Sequence, residues 1–313
     1  MSAPRFDIVG IGVATVDLLA LVDRFPAQEA VQQAHAMEMQ GGGPVATALV
    51  AAARLGASAA MLDSVGGDWR GQQIVRHLAE EGVGVDAVAV HPGATSAVAC
   101  VLVERGSGAR TIIHRPGSAP ELRPHELPRG LIERARILHM NGRHLQASLE
   151  AARWARDSGV GVSFDGGAHR YRPELREAVR LTDYCIVARD FAEQYTRAAD
   201  LPAAAGALLA EGPSLAVITD GVRGSVVASR AGDLFHQRAF PVPRVVDTTG
   251  CGDSYHGAFL FGLLRGYPLR QTAALASAVA AINAQHLGGR AGLPSLEQAR
   301  GFLRQQGEDA GFL

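Results

Sequence analysis

The segment "DTTGCGDS", residues 247–254, gathers two glycines, two carboxylates, two threonines and a thiol ahead of the helix-like run "YHGAFLFGLLRG". A polar glycine turn at a helix start is an anion site: the first backbone N–H groups lack intrahelical acceptors, and the helix dipole adds positive potential there. Gly250 and Gly252 let the backbone approach a phosphoryl group closely, and the N–H groups from Gly250 through Cys251 to Asp253 can point at its oxygens. That arrangement stabilises charge in phosphoryl transfer without a lysine. Asp253, at the edge of the turn, can take a proton from an attacking hydroxyl or merely cap the helix. Cys251 stands at a helix N-terminus, where a thiol pKa can fall. His256, one helical step on, is expected to pack or hydrogen-bond structurally.

Two further glycine segments offer ligand contacts. In "ITDGVRGSVV" (218–227) a strand ends at Thr219, Asp220 and Gly221, and another begins after Gly224; a tight hairpin and a nucleotide turn both fit. In "GGGPVATALVAAARLG" (41–56) three glycines and Pro44 open an alanine-rich helix, whose free N–H groups suit hydroxyls or an anion and whose small residues suit a closely packed junction. "VGIGVAT" (9–15) sets Gly10 and Gly12 after a strand but Thr15 at the third glycine position, which disfavours a Rossmann dehydrogenase.

The elements that must position these residues alternate between strand-like and helix-like patterns over 313 residues. Strands are expected at 6–12, 58–66, 135–142, 161–167, 183–189 and 214–221, and helices at 44–57, 71–83 and 149–159. The reading is an α/β fold, a doubly wound, mainly parallel sheet flanked by helices, forming a single domain over 1–313. Residues 18–40 and 94–115 break the rhythm with short strands, the second a hairpin turning at Gly106 to Gly108, and suggest a small accessory sheet.

Composition removes several function classes. A net charge of −1 supplies no basic field for nucleic acid. No leader pattern and no run of about 20 apolar residues is found, so no membrane partner is expected and a cytoplasmic protein is the default. Cys100, Cys185 and Cys251 have neither disulfide-framework nor zinc spacing. All 30 residues counted as Lys+Arg are arginine, which excludes every mechanism needing a lysine.

Taken in order, these motifs resemble the ribokinase-like, PfkB-type family of carbohydrate kinases over nearly the whole chain. "DTTGCGDSYHGAF" looks like its carboxyl-terminal signature, and "GGGPVATALVAAARLG" with "SVGGDWRG" like its amino-terminal one. The resemblance implies a β-sheet lid over the α/β core, dimerisation through that lid, and transfer of the ATP γ-phosphoryl group, with Mg²⁺, to a sugar hydroxyl, usually a primary one. By the same resemblance Asp253 is the general base and Gly250, Cys251 and Gly252 the anion hole. Asp17, Gly42 and Gly43 would contact the sugar; Thr219, Gly221 and Gly224 would form the nucleotide turn. Asn283 and "LGGRAGLP" would line the adenine and, in many members, a monovalent cation such as K⁺. Two positions depart from the family's asparagines: Thr47 in the first signature, and Asp190 three residues before Glu193, the candidate for holding metal-bound water. The glycine runs are similar to the sulfofructose kinase branch, in which Arg143 matches the sulfonate arginine while His114 and Val31 stand at the other two positions.

Overall fold

The computed structural model describes residues 6–313; residues 1–5, where the stretch searched for a leader begins, lie outside them. Strands run β1 Phe6–Ile11, β2 Thr15–Val22, β3 Ala36–Gly42, β4 Ala59–Gly66, β5 Val83–Gly84, β6 Val88–His91, β7 Val98–Glu104, β8 Arg110–Arg115, β9 Ala135–Met140, β10 Gly161–Gly166, β11 Tyr184–Ala188, β12 Leu215–Thr219, β13 Ser225–Ser229 and β14 Leu234–Gln237. Helices run α1 Pro44–Arg54, α2 Trp69–Glu80, α3 Arg129–Ile132, α4 Leu145–Asp157, α5 Arg176–Arg180, α6 Arg189–Thr196, α7 Leu201–Glu211, α8 Cys251–Arg265, α9 Leu269–Asn283 and α10 Leu296–Gln305.

The main sheet has the order β14-β13-β12-β11-β10-β9-β1-β4-β5, with β6 beside β4. It is parallel from β12 to β5 and closes on one edge with the antiparallel pair β13 and β14. Its strands are apolar on both faces because helices cover both. Ile8, Met61 and Ile137 pack under Leu49 of α1 and Phe259 of α8, while Val9, Leu62, Leu138 and Phe164 pack under Ala151 of α4 and Phe191 of α6. Truncating a fully buried phenylalanine such as Phe259 to alanine costs roughly 3–5 kcal/mol. Strand order reverses at β1, which lies between β4 and β9, and the crevice beyond the carboxyl ends of β1 and β9 is therefore where an open α/β sheet takes ligands.

A second sheet, β3-β2-β7-β8, supplies the expected excursion. Its hairpin turns where Gly106 and Gly108 adopt positive φ. The first strand pair spans 15–42 rather than 18–40, because pairing continues down to Thr15 and Gly42, and the second pair begins at Val98. One face carries the cross-strand row Met39, Leu18, Cys100 and Ile113, all exposed. Helix α4 starts at Leu145, ahead of the expected 149, directly after His144 at φ 53°, whose carbonyl accepts from the Ser148 N–H at 2.8 Å. Among the described residues no helix is long and apolar enough to cross a membrane.

Candidate active site

Two helix N-termini meet at this crevice. Helices α1 and α8 cross so closely that a Cβ at Gly257 would collide with the carbonyl of Ala48, which accounts for the small residues on both. The turn before α8 is held from two directions. Asp247, fully buried, accepts from the Thr249 N–H at 2.7 Å and from the Gly288 N–H at 2.8 Å. The Asn283 amide donates to the Gly289 carbonyl at 3.0 Å and, more weakly, to that of Thr249 at 3.5 Å. Asn283 thus braces the turn from beneath.

Gly250 caps α8 with φ 70° and ψ 0°, and a Cβ there would lie 2.6 Å from the Gly289 Cα. Only glycine combines that left-handed geometry with that approach. The Ser254 N–H makes the first backbone bond of the helix, to Gly250, so the N–H groups of Gly252 and Asp253 are left for a ligand. Asp253 follows within the first turn, its carboxyl pushed above the ordinary aspartate range by burial and then by the Asp165 charge, with Arg170, His256 and Arg110 pulling the other way. A carboxylate so placed is a stronger base than a solvated one. The Cys251 expectation is overturned: burial outweighs the helix terminus and pushes the thiol up to about 12, with Sγ directed at the Ala280 carbonyl.

On the acceptor side Asp17 is buried in β2, accepts from the Thr15 hydroxyl at 2.6 Å, and is raised by desolvation. Gly42 leaves it room, since a Cβ there would strike both carboxylate oxygens of Asp17. Gly43 caps α1 at φ 91°. Arg290 ties these parts together: its buried guanidinium donates to the Gly42 carbonyl at 2.6 Å and to the Thr47 hydroxyl at 3.1 Å, and its pKa is pushed down to about 10 by burial. His114 pairs with Ala99, which pairs with Asp17, so His114 shares the Asp17 face two strands away. Arg143 lies beyond β9, with its guanidinium on the Glu121 carboxylate at 2.8 Å.

On the opposite side Thr219 ends β12, and Gly221 and Gly224, both at positive φ, turn the chain into β13, so the hairpin reading of this segment holds. Arg189 bridges α6 to this turn, meeting Glu193 at 2.7 Å and Asp220 at 2.9 Å. Asp190 accepts from the His169 N–H. The structure therefore brings Glu193, Asp190 and the Thr219 turn into one neighbourhood.

Three arginines carry charge into this crevice: Arg290 from within "LGGRAGLP", and Arg110 and Arg170 from outside the motifs. Arg110 of the hairpin donates to the Thr248 hydroxyl at 2.6 Å, and that hydroxyl donates to the Gly108 carbonyl at 3.1 Å, so the small sheet touches the anion turn directly. Arg170, after β10, lends its charge to Asp165 and Asp253. Arg290 approaches Gly42 across 248 residues of sequence. Charge supplied from so far along the chain leaves no local pattern, although the absence of lysine indicates that arginines must carry it.

The family model described as pfkB family carbohydrate kinase matches residues 5–296. The chain belongs to the pfkB family of carbohydrate kinases. A nucleoside kinase of Methanothermobacter thermautotrophicus is 28% identical over 311 residues, covering 98% of each chain. A 5-dehydro-2-deoxygluconokinase of Shouchella clausii is 26% identical, over 96% of this chain and 97% of the other. A solved structure titled as a putative ribokinase II of E. coli with ATP and Mg²⁺ superimposes with a TM-score of 0.84 over 96% of this chain and 99% of that one, at 21% identity, and shares the fold. The pfkB membership makes the crevice between α1 and α8 the candidate site of phosphoryl transfer.

Proposed function

We propose that the protein transfers the γ-phosphoryl group of ATP to a hydroxyl, a primary one, of a sugar or anionic sugar derivative. The observation that carries this reading is the α8 turn: a left-handed Gly250, free N–H groups at Gly252 and Asp253, and a carboxyl with a raised pKa in the same turn. The acceptor is held by Asp17 and the diglycine while Asp253 takes the proton of its hydroxyl as the oxygen attacks in line. The N–H groups of Gly252 and Asp253, with Arg110 and Arg170 nearby, receive the charge of the transferring group and stand in for the missing lysine. Glu193 and Asp190, beside the nucleotide turn, suit water-mediated contact to Mg²⁺, which supplies charge neutralisation of the triphosphate. Arg189 must release Glu193 for that role.

His114 and Arg143 favour an anionic acceptor, with Arg143 exchanging Glu121 for the ligand. A nucleoside acceptor is the second reading, favoured by the relative named nucleoside kinase. An ADP-release assay over fructose, ribose, adenosine, 2-keto-3-deoxygluconate, 5-dehydro-2-deoxygluconate and sulfofructose separates them. ADP release dependent on one of these acceptors supports a kinase; ligand binding by calorimetry with no acceptor-dependent ADP identifies a non-catalytic binding protein.

The small sheet is read as the lid of this site and, through its exposed row Leu18, Met39, Cys100 and Ile113, as the face of a homodimer. Ile113→Arg is then expected to halve the mass measured by light scattering; an unchanged mass refutes that interface. ATP as co-substrate is consistent with the expected cytoplasmic location.

A further inference from the structure

Behind Asp253 lies a group of side chains to which the proposed transfer assigns no step, although two of them, Asp165 and His256, act on its charge. His139 on β9, Asp165 at the end of β10 and His256 on α8 are buried, and one ligand atom from each lies within 4.8 Å of the others. Three of their polar atoms, His139 Nε2, Asp165 Oδ2 and His256 Nδ1, have no hydrogen-bond partner. Burying even one such atom unpaired costs about 1–3 kcal/mol, so three together call for an occupant.

The donor chemistry selects the occupant. His256 Nε2 lies 3.5 Å from Asp165 Oδ1, which leaves Nδ1 and Oδ2 of the same side chains as the unpartnered donors. His139 Nδ1 hydrogen-bonds Ser163 Oγ at 3.1 Å; with the proton on Nδ1, Nε2 turns a lone pair inward, the arrangement by which a metal-binding histidine is usually oriented. Two imidazoles and one carboxylate suit zinc, cobalt or nickel far better than magnesium.

We propose that His139, Asp165 and His256 bind one divalent transition-metal ion of the zinc class, at a site separate from that of the ATP-bound magnesium. The ion joins the ends of β9 and β10 to the first turns of α8 and sets a positive charge behind the anion turn. The three protein donors leave one coordination position for water. This assignment stands whether or not the acceptor is a sugar.

The test uses tag-free, full-length protein stripped with chelator and kept free of nucleotide, titrated with Zn²⁺ by calorimetry and with Co²⁺ by absorption spectroscopy. One equivalent is expected, with the intense ligand-field bands of four-coordinate cobalt. His139→Ala is expected to weaken binding at least tenfold, while Glu193→Gln binds as the wild type does. Absence of stoichiometric binding, equal affinity in His139→Ala, or a weak six-coordinate cobalt spectrum overturns the proposal and leaves water as the occupant. Should His139→Ala fail to fold, the wild-type cobalt spectrum decides between the same two results.

Discussion

The proposed acceptor and nucleotide sides of the crevice are built by different means. On the acceptor side the contacts are buried and join distant residues: Arg290 to Gly42, Asp247 to Gly288, and His144 to Asp63, where the imidazole lies 2.9 Å from the carboxylate. On the nucleotide side short-range pairs are added, Arg189 with Glu193 at i,i+4 and Arg223 with Asp220 at i,i+3, beside the longer link from Arg189 to Asp220. The Arg189 and Glu193 side chains are 43% and 49% exposed, and such pairs contribute about 0–1 kcal/mol. The groups proposed to fix the acceptor and the reacting oxygens are therefore preorganised, whereas Glu193, the proposed metal-facing carboxylate, is held by a partner it can leave at little cost.

If that contrast is right, substitutions on the acceptor side should act through chemistry and those on the nucleotide side through metal requirement. Gly250→Ala places a Cβ in a left-handed position against the Gly289 backbone. It is expected to lower kcat by about 10²–10³, the scale of losing an anion-hole donor, with a lower Tm in thermal unfolding. Gly42→Ala pushes into the Asp17 carboxylate and is expected to cost about 10² in kcat/KM for the acceptor, with the KM for ATP little changed. Glu193→Gln should leave the acceptor KM alone and raise the Mg²⁺ concentration for half-maximal rate by about tenfold. A large acceptor effect at Glu193, or none at Gly42, would dissolve the distinction between the two sides.

Much of this site is legible in the sequence. Glycines followed by an apolar helical run identified both helix starts, and the hairpin at 106–108 identified the second sheet, because those features depend on local backbone geometry. The edges of the small sheet were less legible, since pairing down to Thr15 and Gly42 is a property of two strands together. Arg110, Arg170 and Arg290 were hidden because each meets its partner only after the chain has folded. For Cys251 the visible local rule was outweighed by burial, which sequence position does not report.

The central claim concerns Asp253. Its folded pKa is raised, so the native state binds the proton more tightly than the unfolded chain, and ionisation costs stability as pH rises between the two values. Two consequences follow for protein kept free of the proposed ion: kcat should fall on the acid side at a pH above the ordinary aspartate range, and Asp253→Asn, which cannot ionise, should be at least as stable as the wild type at neutral pH. The decisive measurement is turnover of Asp253→Asn beside its acceptor affinity by calorimetry. Asp253→Asn is expected to bind the acceptor within a few-fold of wild type and to show a kcat lower by about 10²–10⁴; turnover near the wild-type value would rule out Asp253 as the general base.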